Sequence, residues 1–92
     1  MLSPRQYKDT ICEQFARVAK ALGSAKRIEL LDLLSQSPRT VEALAGLTGM
    51  TVANTSQHLQ VLRGVALVDT EKIGSYVTYR LAGPAVADLL VG

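Results

Sequence analysis

Apolar residues recur along this chain first at helical spacing and later at every second position. Tyr7, Ile11, Phe15, Val18 and Leu22 follow one another at intervals of four, four, three and four. Those intervals put them in one stripe of a helix of about four turns. Gly23 stops that helix and Ser24 supplies the N-cap of the next. Ile28, Leu30, Leu31, Leu33 and Leu34 cover so much of the second helix that it is expected to be the central core helix, ended by Ser37-Pro38. Two shorter amphipathic segments follow. Thr40 caps the first, Glu42 sits where the helix dipole favours an acid, and Val41, Leu44 and Ala45 share one face. Gly49 stands where the chain must leave the helix and reverse, a turn that glycine makes cheaply. Thr51 caps the second segment, whose inner stripe is Val52, Leu59 and Leu62, with Thr55 on the same side.

After Arg63 the period falls to two. Leu67–Thr70 and Tyr76–Leu81 are predicted strands, joined by Lys72-Ile73-Gly74-Ser75, and Gly74-Ser75 suits a type II′ turn. Tyr76 and Tyr79 are expected to pack as cover for this hairpin. Gly83-Pro84 opens a last helix with Val86, Leu89 and Leu90 on its apolar side. The predicted order is helix, helix, helix, helix, hairpin, helix, in a single domain over residues 1–92. That is a mainly α winged helix-turn-helix with an extra helix at each end. The terminal helices carry more apolar surface than one small body needs, so Tyr7, Ile11, Phe15, Val86 and Leu90 are the expected two-fold interface of a homodimer.

The most informative stretch is Thr40–Arg63, TVEALAGLTGMTVANTSQHLQVLR. Its second helix turns Asn54, Gln57, His58 and Gln60 outward, with Ser56 at the edge. Between residues 51 and 60 there is no acid, lysine or arginine. An ordinary solvated helix favours Glu and Lys, which propagate helix and pair in charge. Amides pair bidentately with adenine edges, and hydroxyls reach base edges or phosphates. These five residues are therefore the candidate base contacts to a double-stranded DNA operator. Lys26, Arg27, Arg39, Arg63 and Lys72 flank the motif. Arg39, Thr40, Thr51, Arg63, Lys72 and Ser75 are the candidates for phosphate or wing contact.

Composition narrows the alternatives. The chain has 92 residues, is 48% hydrophobic and 20% charged, and so reads as globular rather than disordered. A net charge of +2 does not by itself announce nucleic acid; the placement of the cations matters more. There is no run of 18 apolar residues and no apolar signal region in MLSPRQYKDT, so a cytoplasmic location with no membrane partner is expected. No paired acid and base, activated nucleophile or phosphate-cradling glycine loop is present, and no enzyme activity is expected. One cysteine, Cys12, makes no intrachain disulfide. Beside Ile11 and Phe15 it is expected to be a small buried hydrophobe. A disulfide between two copies across a dimer is the second reading. One Cys and one His, His58, in unrelated segments do not make a soft-metal site, so neither metal nor cofactor is expected.

The run SQHLQVLR, the strands around TEKIGSYVTYRL and the early ALGSAKRIELLDLL resemble the arsenic-repressor type (ArsR/SmtB) of bacterial transcription regulators. The resemblance spans Tyr7 to Leu90. It implies a homodimeric winged-helix repressor that leaves its operator when an effector binds; the effector is not implied. It places DNA contacts at Ser56 and Gln57, puts His58 between DNA and core, and maps the wing to Glu71–Tyr76. Two departures stand out. Thr55 occupies a place usually held by a branched apolar residue, and Gly64-Val65-Ala66-Leu67 replaces the usual Ala-Gly-Leu after the helix. Many such regulators bind metal through Cys-x-Cys in the first motif helix, but Val41–Ala45 holds no cysteine, and the last helix offers only Asp88. The members most resembled carry a rhodanese-type domain after the winged helix; with Gly92 as the last residue, none is expected here. The alternative function is a dimeric winged-helix adaptor that no longer binds DNA.

Overall fold

Each of the four helices in the computed structural model, which describes residues 1–83, begins on a hydroxyl that caps it. Helix α1 is Pro4–Ala21, α2 Ala25–Gln36, α3 Val41–Thr48 and α4 Val52–Gly64. The caps are Ser3, Ser24, Thr40 and Thr51, each accepting from the backbone N–H three residues on. At Ser3 the cap is reciprocal, because the Gln6 side chain accepts from the Ser3 N–H at 2.9 Å. Helix α3 ends on Gly49 at φ 71°, the left-handed residue that the sequence requires there.

The hairpin is longer than its period implied. Strands β2 (Val68–Ile73) and β3 (Tyr76–Leu81) pair antiparallel from Val68↔Leu81 to Ile73↔Tyr76. Only Gly74 and Ser75 form the turn, with Gly74 at φ 61°, in keeping with a type II′ geometry. A third strand was not foreseen: β1 (Arg39–Thr40) pairs with β3 on its other edge, giving the order β1-β3-β2. Two residues carry no readable alternation, and β1 directly precedes α3, so the sequence offers only the cap.

The core gathers Leu30, Leu31 and Leu34 of α2 with Leu44, Leu59, Leu62, Val68 and Tyr79. Helix α2 is thus the central helix, as its leucines predict. Ile28 is not part of that face and is 53% exposed. At 100° per residue it lies roughly 110° round from the centre of the three buried leucines. Val52 is also a correction: it is 47% exposed, although its angle on α4 matches the inner stripe. Thr51, Val52, Ala53 and Asn54 are all exposed, so the first turn of α4 runs past the body that buries Thr55, Leu59 and Leu62. Tyr79 is buried cover as expected, but Tyr76 is exposed at the wing tip. Cys12 is exposed on α1 and not buried, because α1 lies against the domain only near its C-terminal end, where Ala21 is buried.

The two departures in sequence acquire structural meaning. Thr55 is fully buried, and its hydroxyl donates to the Thr51 carbonyl at 2.8 Å, so nothing polar is orphaned. Ala66 adopts φ 61°, the left-handed region. It stands at the C′ position of a Schellman motif: the Ala66 N–H donates to the Arg63 carbonyl and the Leu67 N–H to the Leu62 carbonyl, each at 3.0 Å. That motif turns the chain from α4 into β2.

Candidate nucleic-acid interface

Thr55, Leu59 and Leu62 anchor α4 in the body, and this fixes what its other side presents. Asn54, Gln57 and Gln60, three residues apart, are exposed there. Ser56 and His58 lie at the margins and are half-buried. His58 Nδ1 is 3.2 Å from Arg27 Nη1. A guanidinium only donates, so Nδ1 accepts and the ring proton sits on Nε2, on the other side of the imidazole. The Gln60 amide donates to the Tyr79 hydroxyl at 3.4 Å, which ties α4 to the wing strand β3.

The two cap threonines each leave a donor free. Thr51 Oγ1 accepts from the Asn54 N–H at 3.1 Å and Thr40 Oγ1 from the Ala43 N–H at 3.2 Å. Each hydroxyl keeps its own proton to donate, beside the positive end of a helix dipole, where a phosphate oxygen is favoured. Arg63 is exposed in the last turn of α4. Lys72 and Ser75 are exposed on the wing, where Arg80 pairs with Glu71 at 3.2 Å.

Other flanking cations are committed to the fold. Lys26 Nζ donates to the Thr48 carbonyl at 2.8 Å, closing the end of α3, and lies 3.7 Å from Glu29. Arg39 donates to the Leu33 carbonyl at 3.3 Å and to Gln36 at 3.2 Å. It is thereby held on the α2 side, at the sheet edge away from β2. Arg39, a phosphate candidate in the sequence, thus stands next to the start of α3 and has its guanidinium occupied by α2.

Sequence reasoning missed two surface residues on α4, Val52 and Ala53. The reading helix of a helix-turn-helix offers its N-terminal residues to base edges. An exposed valine there is chemically suited to a thymine methyl. The available signal was position: a stripe residue in the first turn after a cap has no further turn to shelter it.

On α1, Tyr7, Ile11 and Phe15 are exposed. A groove of about 300 Å³ follows Thr10, Ile11, Gln14, Phe15 and Val18. Val86 and Leu90, the other expected interface residues, lie outside the described residues, as does the predicted last helix. Among the described residues no three His, Cys, Asp or Glu side chains are grouped to hold a metal. No helix among them is long and apolar enough to cross a membrane.

Comparison with known proteins bears on this surface. The profile of the family described as "Bacterial regulatory protein, arsR family" matches residues 24–70, from the cap of α2 into β2. The chain is 44% identical over 82 residues to the HTH-type transcriptional regulator Rv0324 of Mycobacterium tuberculosis, covering 89% of this chain and 36% of that protein. It is 36% identical over 75 residues to the HTH-type transcriptional regulator YgaV of Escherichia coli, covering 80% and 76% respectively. The chain thus spans about a third of the first relative and three quarters of the second. Among solved structures, the homodimeric winged helix-turn-helix DNA-binding domain of Mb0332 from Mycobacterium bovis superposes with a TM-score of 0.88 at 42% identity. The match covers 98% of this chain and 82% of that one.

Proposed function

Because this chain belongs to the arsR family of bacterial regulatory proteins, we propose that it is a cytoplasmic, sequence-specific DNA-binding repressor acting as a homodimer on a palindromic operator. The observation that carries this reading is α4. Its overhanging first turn and its Asn54–Gln57–Gln60 edge are exposed, uncharged and rich in amides, between threonine caps and the wing cations. Uncharged groups there read bases, and Thr40, Thr51, Arg63, Lys72 and Ser75 hold the backbone. The role is binding, without catalysis: occupancy of an operator is enough to block another protein's access.

The exposed apolar side of α1 supports homodimerisation. Tyr7, Ile11 and Phe15 are large apolar side chains left to solvent by a single copy. Burying each stabilises by about 1.5–3 kcal/mol, and a two-fold axis counts each twice. The Mb0332 domain is homodimeric, which supports a two-copy assembly here. Two copies also double the length of DNA read, which one short helix leaves too small.

Selection of bound duplexes from a random pool by the purified protein tests the proposal. A recovered palindrome with half-sites about one helical turn apart is expected; a pool that stays random after repeated rounds sinks it. One feature favours the adaptor reading. The wing tip exposes Ile73, Tyr76 and Val77 around the single Lys72. In that case binding to any duplex would lack the counterion slope of about −0.9 per phosphate contact in log affinity against log salt.

A further inference from the structure

Behind the reading helix, where α1, α2 and α4 meet, lies a cavity of about 420 Å³ lined by Arg17, Lys20, Ala21, Arg27, Val61 and Val65. Three cations surround an apolar floor. None of the three is in an ion pair among the described residues; the pairs there are Arg5–Asp9, Lys26–Glu29 and Arg80–Glu71. Three cations and no carboxylate line the cavity, so its charge favours an anion.

The two guanidiniums are fixed in advance. Arg27 donates to the carbonyls of Ala21 and Lys20 and to His58 Nδ1. Arg17 donates to the Gly64 carbonyl and the Gln14 side chain, both at 3.2 Å. Carbonyl oxygens hold a guanidinium in place without cancelling its full charge, and each arginine has five N–H donors, so both retain some for a ligand. The Nζ of Lys20 has no hydrogen bond among the described residues. The floor is apolar where a bare inorganic ion would want donors: Val61 is exposed on α4, and Val65 is the residue that caps that helix.

We propose that this cavity is an effector site for a small organic carboxylate with a branched apolar body, and that its occupancy reaches α4 through Arg27. The carboxylate lies among Arg17, Lys20 and Arg27, and the hydrocarbon rests on Val61 and Val65. Planar guanidiniums suit a carboxylate because two parallel N–H donors match its two oxygens. An anion that draws Arg27 toward the cavity weakens its contact with His58 Nδ1, and His58 stands at the margin of the DNA-facing surface. The link to DNA rests on the function proposed above; the site itself does not.

The test uses the full chain and 4-methylpentanoate as probe, with 4-methylpentanamide as its uncharged twin and inorganic phosphate as the bare anion. Backbone and side-chain NMR resonances are followed during titration without DNA. The expected result is saturable shifts at Arg17, Lys20, Val61 and Val65, with the His58 ring moving at the same midpoint. The amide and phosphate bind at least tenfold more weakly, and Lys20→Gln and Arg17→Gln each weaken the carboxylate at least threefold. Absence of saturation, or equal binding of the amide, overturns the site. With the selected operator, the probe should weaken DNA binding at least threefold in the wild type and less in Lys20→Gln. If Lys20→Gln and Arg17→Gln instead flatten the salt dependence of DNA binding, the three cations are phosphate contacts and the effector site is refuted. Should no operator exist, the titration still decides the site by itself.

Discussion

Replacing Ala66 by glycine should make this protein more stable. Ala66 holds φ 61° at the C′ position of the Schellman motif that ends α4. A side chain in that region brings Cβ close to the following carbonyl, at a cost of about 1–2 kcal/mol. Glycine removes that strain but loses about 0.5–1 kcal/mol more backbone entropy on folding. The difference leaves about 0.5–1 kcal/mol of net stabilisation. No packing is lost with the methyl group, because Ala66 is exposed. For a domain of this size, that corresponds to a melting temperature higher by about 2–8 °C. The comparison is made by urea titration and calorimetry at one fixed protein concentration, since dimerisation makes apparent stability depend on concentration. A midpoint that rises while the urea slope stays the same is the expected outcome. An Ala66→Gly protein that melts at or below the parent temperature would refute the left-handed assignment and, with it, the account of how α4 hands over to the wing.

The remaining predictions concern the core, the dimer and the reading surface. Thr55→Val should stabilise by about 1 kcal/mol, because the hydroxyl is buried and the Thr51 carbonyl still accepts the residue-55 N–H at 3.0 Å after the change; equal or lower stability in urea would mean that the hydroxyl does more than satisfy itself. Phe15→Ser, made twice across a two-fold axis, should weaken the dimer by roughly a hundredfold or more in sedimentation equilibrium. A wild-type dissociation constant would take α1 out of the interface. If Val52 touches a thymine methyl, uracil at one symmetric pair of operator positions should weaken the wild type severalfold and leave Val52→Ala indifferent. Equal sensitivity of both proteins would remove Val52 from the reading set.

The helix boundaries were legible because local chemistry decides them. Ser24, Thr40 and Thr51 announce three starts, and Gly49 a stop, with each requirement met inside one turn of chain. The inner stripe of α4 was legible at Thr55, Leu59 and Leu62, where neighbouring elements lie on both sides, and failed at Val52, where the body ends before the helix does. Ile28 and Tyr76 failed for a related reason: apolar character alone does not say which face a partner element covers. Cys12 was misplaced because α1 stands largely outside the single-chain core. The Arg27–His58 contact joins residues 31 apart, and no periodicity encodes such a meeting. The strain at Ala66 was half-visible, as an altered junction whose backbone angle only the structure supplies.

The central claim is that the exposed amide edge of α4 touches nucleotide edges in a groove. Repeating the random-pool selection with Gln57→Ala beside the parent tests it most directly. The account predicts that preference relaxes at one symmetric pair of positions, with binding to the parent operator weaker by about 1–3 kcal/mol and the rest of the site unchanged. An identical selected sequence from both proteins, bound with equal affinity, would contradict it.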